Sequence, residues 1–199
     1  MLALAGAAAP LAAVPLSVRV VDAAGKPVRD AVVTLYPSSG ARPGRPGGRY
    51  VVSQKNLQFH PFLTLVPIGA DISFPNFDPT KHHVYSFSAA KRFELKLFAK
   101  DQSRTVHFDK PGVVALGCNI HDGMSAFIVV TDSAWTARTN AQGLVNFADA
   151  PNAPSRITVW HPYLRAPGGV VQQAVGGSQR SASFSIRLRP PPSMPMADY

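Results

Sequence analysis

Short stretches in which apolar and polar residues alternate recur along this chain, and Gly and Pro residues separate them. Residues 15–22, 93–97 and 183–189 show the alternation, and the 199 residues include 19 Pro and 15 Gly. A two-residue period is typical of strands that bury one face, and Gly and Pro mark the turns between strands. Long helical periodicity is absent from the sequence. The sequence therefore predicts an all-β fold built from many short strands.

The predicted strands follow one another at regular spacing, which is typical of a β-sandwich or barrel. Residues 15–22 and 31–37 are predicted to pair as a hairpin around a turn at 23–28, and residues 168–178 are predicted to be flexible. Further strands are predicted within residues 50–54, 58–69, 71–76, 82–87, 93–97, 105–109, 113–116, 127–131, 139–147 and 157–162. A chain of this length can bury a sizeable core without help from disulfides.

One loop carries three side chains that could bind a metal. Residues 117–124 read Gly-Cys-Asn-Ile-His-Asp-Gly-Met and contain Cys118, the only cysteine, with His121 and Met124 at intervals of three. Thiolate, imidazole and thioether are the donors that copper prefers, and one Cys, two His and a distant axial Met form a blue-copper site. The second histidine would come from another strand, and His82 and His83 are the candidates. Taken alone, Cys118 or Met124 would more often be a buried core residue; it is the three donors together on one loop that indicate a metal site.

The charge of the chain is strongly basic but dispersed. The net charge is +9, and there is no Lys/Arg run of the kind that binds nucleic acid. Seven of the 20 basic residues fall between positions 81 and 110, namely Lys81, Lys91, Arg92, Lys96, Lys100, Arg104 and Lys110. This segment could form a docking surface for an acidic redox partner, where charge mainly raises the association rate, or simply a solvated strand face.

The N-terminal residues suggest export from the cytoplasm. Residues 1–14 are apolar and end in small residues, like the later part of a secretory signal, although a charged start is missing. The segment is too short to span a membrane, and no other stretch is long enough. A single cysteine excludes an intramolecular disulfide, and an unpaired cysteine in an exported protein is consistent with metal binding. Residues 190–199 are predicted to form a disordered tail.

The region around the motif resembles the cupredoxins, the small blue copper proteins. The resemblance rests on residues 74–78 (Phe-Pro-Asn-Phe-Asp), on His82-x-Val-x-Ser, and on Cys118-x2-His121-x2-Met124 with the strand that follows. The short spacing is similar to that of amicyanins. The whole chain also resembles cupredoxin-like proteins labelled methylamine-utilisation proteins. The resemblance implies a Greek-key sandwich that holds one type 1 copper ion and transfers single electrons without catalysing a reaction.

The resemblance also implies a role for each candidate ligand. Cys118 corresponds to the thiolate ligand, His121 to the imidazole at the exposed edge where the electron leaves, and Met124 to the weak axial ligand. His82 corresponds to the first imidazole, with His83 as the alternative, because a shift of one residue exchanges the two faces of a strand. Two further side chains, Asn76 and Asn119, are expected to surround the site; Asn76 could brace its loop or be an ordinary turn residue.

The flanking segments resemble a second kind of sandwich. Residues 15–37 and the pattern Thr-Asn-x-x-Gly-x-Val-x-Phe at 139–147 are similar to carboxypeptidase-regulatory-like or transthyretin-like modules. We therefore expect residues 15–37 and 133–189 to form one split sandwich and residues 38–132 to form a cupredoxin domain inserted into it. Insertion at a loop is cheap because closure entropy grows slowly with length. The alternative is a single continuous sandwich with extra strands.

These features predict a periplasmic electron carrier that is not an enzyme and that docks with acidic redox partners. Two alternatives remain open at this point. The flanking sandwich could be the working part of a binding module whose copper serves storage or sensing. Cys118 could instead be a nucleophile with a histidine base. His60, His107 and His161 are predicted to be surface or hydrogen-bonded strand residues, and Trp135 and Trp160 to be core residues.

Overall fold

The computed structural model describes residues 14–40, 42–151, 154–176 and 178–191. Within these ranges the chain has no α-helix, and a single 3₁₀ turn covers Pro167–Gly169. The all-β prediction is therefore confirmed. The predicted signal-like segment lies outside the described residues except for Val14, and so does the predicted tail from residue 192 onward. The described part of the chain contains no helix that is long and apolar enough to cross a membrane.

Strands account for most of the described residues. In chain order they are β1 (Val14–Asp22), β2 (Val32–Pro37), β3 (Tyr50–Val51), β4 (Ser53–Lys55), β5 (Gln58–His60), β6 (Leu63–Pro67), β7 (Ala70–Pro75), β8 (His82–Ser88), β9 (Lys91–Phe98), β10 (Ser103–Phe108), β11 (Gly112–Cys118), β12 (Ser125–Thr131), β13 (Thr136–Arg138), β14 (Leu144–Ala150), β15 (Pro154–Trp160), β16 (Val171–Ala174) and β17 (Ser181–Ile186).

The strands from β3 to β12 build a first sandwich. A five-stranded sheet has the order β6–β12–β11–β8–β9, and a three-stranded sheet has the order β10–β7–β3. Their inward-facing side chains form one hydrophobic cluster, in which Val84 and Ile128 of one sheet belong with Phe74 and Phe108 of the other. All four are almost fully buried. Burying this apolar surface is the main driving force that holds the two sheets together.

Pairing between β8 and β11 brings distant parts of the chain to the same end of the sheet. Gly117 lies opposite Tyr85, and Cys118 lies opposite Val84. A side chain at Gly117 would start within 2.7 Å of the Tyr85 ring, so only glycine fits beside that ring without moving it. Since strand residues alternate between faces, His82 points into the sandwich and His83 points away from it.

The remaining strands build a second sandwich with a separate core. One sheet has the order β14–β1–β17 and the other β13–β2–β15–β16. Val18 and Val20 from β1 pack in one cluster with Leu35 from β2 and Phe184 from β17. Thr139 anchors the start of β2, since its buried hydroxyl accepts a hydrogen bond from the Ala31 N–H at 3.0 Å and donates to the Val28 carbonyl at 2.7 Å.

Two local predictions for this part of the chain are wrong. The expected hairpin between residues 15–22 and 31–37 does not form, because β1 and β2 lie in different sheets. Both edges of β1 are already occupied by β14 and β17, and β2 is buried on both faces. Residues 168–178, expected to be flexible, contain β16, which pairs with the edge of β15. Trp135 packs against the second core, as expected for a core residue.

The two sandwiches meet along an apolar contact. Val32 of the second sandwich packs with Leu63 and Val129 of the first, and the Trp160 and Phe127 rings pack beside them at a centroid distance of 5.6 Å. These two cores lead us to propose that residues 15–37 and 133–189 form one domain and that residues 38–132 form a second domain inserted within it. The outer face of the five-stranded sheet is the contact surface.

Candidate metal centre

Three candidate ligands converge at one end of the first sandwich. The Cys118 Sγ atom lies 3.8 Å from the His82 Nδ1 atom and 3.7 Å from the His121 Nδ1 atom. All three donor atoms lie within 4.8 Å of one another. His82 opens β8, Cys118 ends β11 and His121 lies in the following turn, so the β8–β11 pairing creates the cluster. His82 and Cys118 are buried, whereas His121 is half-buried.

The spacing of these atoms fits a single bound metal ion. Thiolate and imidazole bonds to zinc are about 2.3 and 2.05 Å, and ligand angles of 110–120° then give sulfur–nitrogen distances of about 3.6–3.8 Å. The Cys118–His82 and Cys118–His121 distances of 3.8 and 3.7 Å match this range. The two imidazole rings are inclined at 62° with centroids 5.0 Å apart, so both can direct a nitrogen toward one point.

A buried carboxylate holds His82 from the side opposite the sulfur. The Asp78 Oδ2 atom lies 2.8 Å from the His82 Nε2 atom and accepts a second hydrogen bond from the Leu57 N–H at 3.0 Å. Its Oδ1 atom accepts from the Asn56 N–H at 2.6 Å. A carboxylate can only accept hydrogen bonds, so His82 donates through Nε2. The Nδ1 lone pair of His82 is then directed toward Cys118.

Asp78 is held in its ionised form by these contacts. Burial alone would raise the pKa of Asp78, but hydrogen bonds from the Leu57 N–H, the His82 ring and the Asn56 N–H outweigh burial and lower it. Only 4% of the residue is exposed to solvent. At neutral pH the arrangement therefore places a negative charge behind one candidate ligand.

Asn76 braces the loop that carries Asp78. Its side-chain amide donates to the Thr80 carbonyl at 2.8 Å and to the Phe98 carbonyl at 3.1 Å, and its Oδ1 atom accepts from the Asp78 N–H at 2.9 Å. Asn76 is fully buried. Of the two roles considered for Asn76, the bracing role fits these contacts. Asn119, by contrast, is exposed in the turn after Cys118, and its place around the site stays a prediction.

The turn after Cys118 carries the other two candidate ligands. The Met124 N–H donates to the His121 carbonyl at 3.0 Å, which closes the turn and brings the chain back into β12. Met124 is 2% exposed and belongs to the same core cluster as Cys118. Burial and the nearby His82 ring lower the pKa of His121. A neutral His121 imidazole can bind a metal, whereas a protonated one cannot.

The other histidines lie away from this cluster. His83 is on the opposite face of β8, where its Nε2 atom lies 2.8 Å from a Glu94 carboxylate oxygen. The ring of His60 contacts the Lys55 carbonyl, that of His107 contacts the exposed Asp71, and the His161 Nδ1 atom accepts from the Tyr163 N–H. Within the described residues, therefore, only His82 and His121 lie beside the sulfur.

Asp78 is the functional candidate that the sequence reasoning missed. It stands in an Asp-Pro-Thr stretch that is typical of a loop, and loops often carry solvated carboxylates. The signal that could have identified it is its position four residues before His82. A histidine that binds a metal commonly donates its second ring N–H to a carboxylate.

Comparison with known proteins finds structural likenesses. No family model matches the chain, and no curated protein matches it. A copper-containing nitrite reductase from Thermus scotoductus is 20% identical over 45% of this chain and 25% of that chain, with a TM-score of 0.40. A purple cupredoxin from Nitrosopumilus maritimus is 16% identical over 41% of this chain and 99% of that chain, with a TM-score of 0.38. A reduced amicyanin variant is 20% identical over 50% of this chain and 98% of that chain, with a TM-score of 0.39.

TM-scores of 0.38 to 0.40 are too low to identify a family. The chemistry is indicated instead by the geometry of His82, Cys118 and His121. A cysteine sulfur beside two imidazoles, with a buried thioether on the same turn, is a set of donors that suits a soft metal ion.

Proposed function

We propose that this chain binds one copper ion and carries single electrons between redox partners. The ligands are the His82 and His121 imidazoles and the Cys118 thiolate, with Met124 as the weak axial ligand. The supporting observation is the convergence of three donor atoms within 4.8 Å of one another at one end of the first sandwich. Two imidazoles, one thiolate and one distant thioether favour copper over magnesium, calcium or manganese, which prefer oxygen ligands.

The surrounding residues suit such a site to electron transfer. Bound copper would supply a one-electron couple between Cu(I) and Cu(II). His82 is fully buried and Cys118 is 4% exposed, so the packing around them excludes water. Asp78 fixes the orientation of His82, and β8–β11 pairing fixes the separation of His82 from Cys118. Ligands that are held in place move little between the two oxidation states, which favours fast transfer.

The half-buried His121 is the proposed point at which the electron enters and leaves. It reaches solvent while its Nδ1 atom stays 3.7 Å from the Cys118 sulfur. Exposed apolar side chains occur in the two adjoining loops, with Ile120 47% and Phe77 51% exposed. Such side chains are suited to a brief contact with another protein.

The proposed partner is acidic, and the proposed location is the periplasm. Among the basic residues between positions 81 and 110, Lys91 is paired with Asp109. The other six basic residues of this segment are exposed: Lys81, Arg92, Lys96, Lys100, Arg104 and Lys110. They would attract an acidic surface and raise the association rate, and salt would weaken the effect. Periplasmic location rests on the signal-like residues 1–14.

A role as a catalytic cysteine is less compatible with the surroundings of Cys118. A nucleophilic cysteine needs access to its substrate, and reactive cysteines are at least partly exposed. Cys118 is only 4% exposed, so its sulfur is not accessible to a substrate even though two imidazole nitrogens lie within 4 Å of it. We therefore propose that the protein is not an enzyme.

Addition of one equivalent of Cu(II) to metal-free protein tests the proposal. We expect intense visible absorption from the thiolate–copper bond, reversible bleaching by a one-electron reductant, and no such colour in Cys118→Ser. His107→Ala, which removes an exposed imidazole that contacts Asp71 and is not part of the ligand cluster, serves as the control and should keep the colour. A colourless protein, or one that binds zinc in preference to copper, would refute the proposal.

A further inference from the structure

The hydrogen bond from His82 to Asp78 brings a charged group behind the ring, although a neutral acceptor would be enough to hold the ring in place. A backbone carbonyl or an amide could accept the same hydrogen bond without bringing a charge into the interior. Asp78 is instead an ionisable side chain that is 6% exposed, and removing a charge from water is costly unless it is well paired. This carboxylate accepts hydrogen bonds from three donors: the Asn56 N–H, the Leu57 N–H and the His82 ring.

The backbone that supplies two of these donors is itself held in an unusual conformation. Asn56 and Leu57 both have positive φ angles, of 54° and 55°. Positive φ is unfavourable for residues other than glycine, and most of all for a bulky side chain such as that of Leu57. The carboxylate and this turn therefore stabilise each other, so that the negative charge is fixed at a defined distance from the His82 ring.

We infer that Asp78 is a positioning residue that lowers the reduction potential of the bound copper through His82, an inference that rests on the proposed function. The carboxylate attracts the Nε2–H proton of His82 and so makes the Nδ1 atom a stronger donor. A fixed negative charge in a buried site also favours Cu(II) over Cu(I), because the extra positive charge is attracted to it. Both effects stabilise the oxidised state more than the reduced state.

Asp78→Asn is the informative variant because it keeps the size of the side chain and removes the charge. In the wild type, Oδ2 accepts from His82 and from the Leu57 N–H, and the amide oxygen of the variant can take its place. The amide nitrogen then stands where Oδ1 was, so the hydrogen bond from the Asn56 N–H is lost. The His82 contact can therefore survive in a neutral form. Asp78→Ala removes all these contacts and tests how far orientation depends on them.

Asn76→Ala is the matched control for loosening of the same loop. Asn76 lies two residues before Asp78, is equally buried and makes its side-chain contacts to backbone groups of Thr80, Phe98 and Asp78. Loss of these bonds should lower the thermal stability without removing the charge behind His82. A purely structural role for Asp78 would make the two variants behave alike.

The experiment measures the Cu(I) and Cu(II) affinities of the full chain by competition with chelators and its midpoint potential by redox titration. In Asp78→Asn we expect Cu(II) affinity to fall about 10- to 100-fold, as for other partners of ligating histidines, with much less change for Cu(I). That ratio corresponds to a potential higher by about 60–120 mV for one electron. Asn76→Ala should leave the ratio unchanged within about threefold.

An unchanged ratio in Asp78→Asn, or an equal shift in Asn76→Ala, would overturn the inference. A second readout does not require copper. Nitrogen NMR of the metal-free protein should find His82 with its proton on Nε2, and Asp78→Ala should lose this preference. A His82 proton on Nδ1 in the wild type would also overturn the inference. Failure to bind copper together with the expected NMR result would refute the proposed function, and with it the effect on copper, while the Asp78–His82 contact would stand.

Discussion

The adjacent histidines at the start of β8 allow a sharp test of the ligand set, because they are consecutive in sequence and lie on opposite faces. His82→Ala removes a fully buried ring whose Nδ1 atom is 3.8 Å from the Cys118 sulfur. His83→Ala removes a ring that contacts Glu94 on the outer face. Both substitutions remove the same imidazole side chain, so a difference in metal affinity between the two variants reports where that ring lies and what it contacts.

The expected difference between the two variants is large. Binding of a metal to a small protein site is worth about 10–16 kcal/mol, so one of four ligands contributes about 2.5–4 kcal/mol. His82→Ala should therefore weaken metal binding roughly 60- to 700-fold. His83→Ala loses a contact with an exposed carboxylate, an effect within about 0.5 kcal/mol, and should change the affinity no more than about threefold.

Chelator competition with Cu(I) measures both affinities, and visible absorption after oxidation reports the thiolate–copper bond. Thermal unfolding of the metal-free proteins verifies that each variant is folded. His82→Ala should also unfold at lower temperature, because the buried Asp78 loses a donor. Equal affinities in the two variants, or a greater loss in His83→Ala, would refute the ligand assignment and the use of strand alternation to make it.

Three further predictions concern other parts of the molecule. Thr139→Val should lower the free energy of unfolding by about 2–4 kcal/mol in chemical denaturation, because the Thr139 hydroxyl bridges a buried N–H and a buried carbonyl. The control is the same substitution at an exposed site, Thr105→Val, which should cost less than about 0.5 kcal/mol. Burial, followed by the hydrogen bond to Asp132, raises the pKa of Tyr36 to about 12. A tyrosine in the unfolded chain ionises near pH 10, so the free energy of unfolding should fall as the pH rises from about 10 to 12. Ultraviolet titration should find one tyrosine that ionises at higher pH than the others, and its pKa should be lower in Asp132→Asn. Met124→Leu should keep copper bound and raise its reduction potential in redox titration; a lower potential would argue against an axial thioether.

The positions of the strands could be predicted from sequence far better than their partners. Alternation at residues 93–97 and at 183–189 is a local signal, and strands occur at or beside both. The pairing of β1 with β14 and β17 depends on contacts between residues that are distant in sequence, and the local turn at 23–28 suggested a hairpin instead. β16 was missed because its sequence, Val-Gln-Gln-Ala, lies on an exposed edge and lacks a hydrophobic pattern.

The candidate site shows the same division between local and distant signals. The donor set at Cys118, His121 and Met124 is contained in one loop, and its chemistry could be inferred from residue types alone. The choice between His82 and His83 depends on which face of β8 is buried, and that follows from the register with β11. Asp78 could not be separated from an ordinary loop carboxylate before the turn at Asn56 and Leu57 was known to wrap around it.

The order of strands along the chain also determines the order in which the molecule can be completed on the ribosome. Every strand of the first sandwich lies between Tyr50 and Thr131. In contrast, the first partner of β1 to be synthesised is β14, which begins about 120 residues after β1 ends. At about 5–20 residues per second, this interval lasts roughly 6–24 s. The ligand-bearing part can thus be finished while β1 still lacks both neighbours, which makes β1 the strand most in need of protection in a nascent polypeptide.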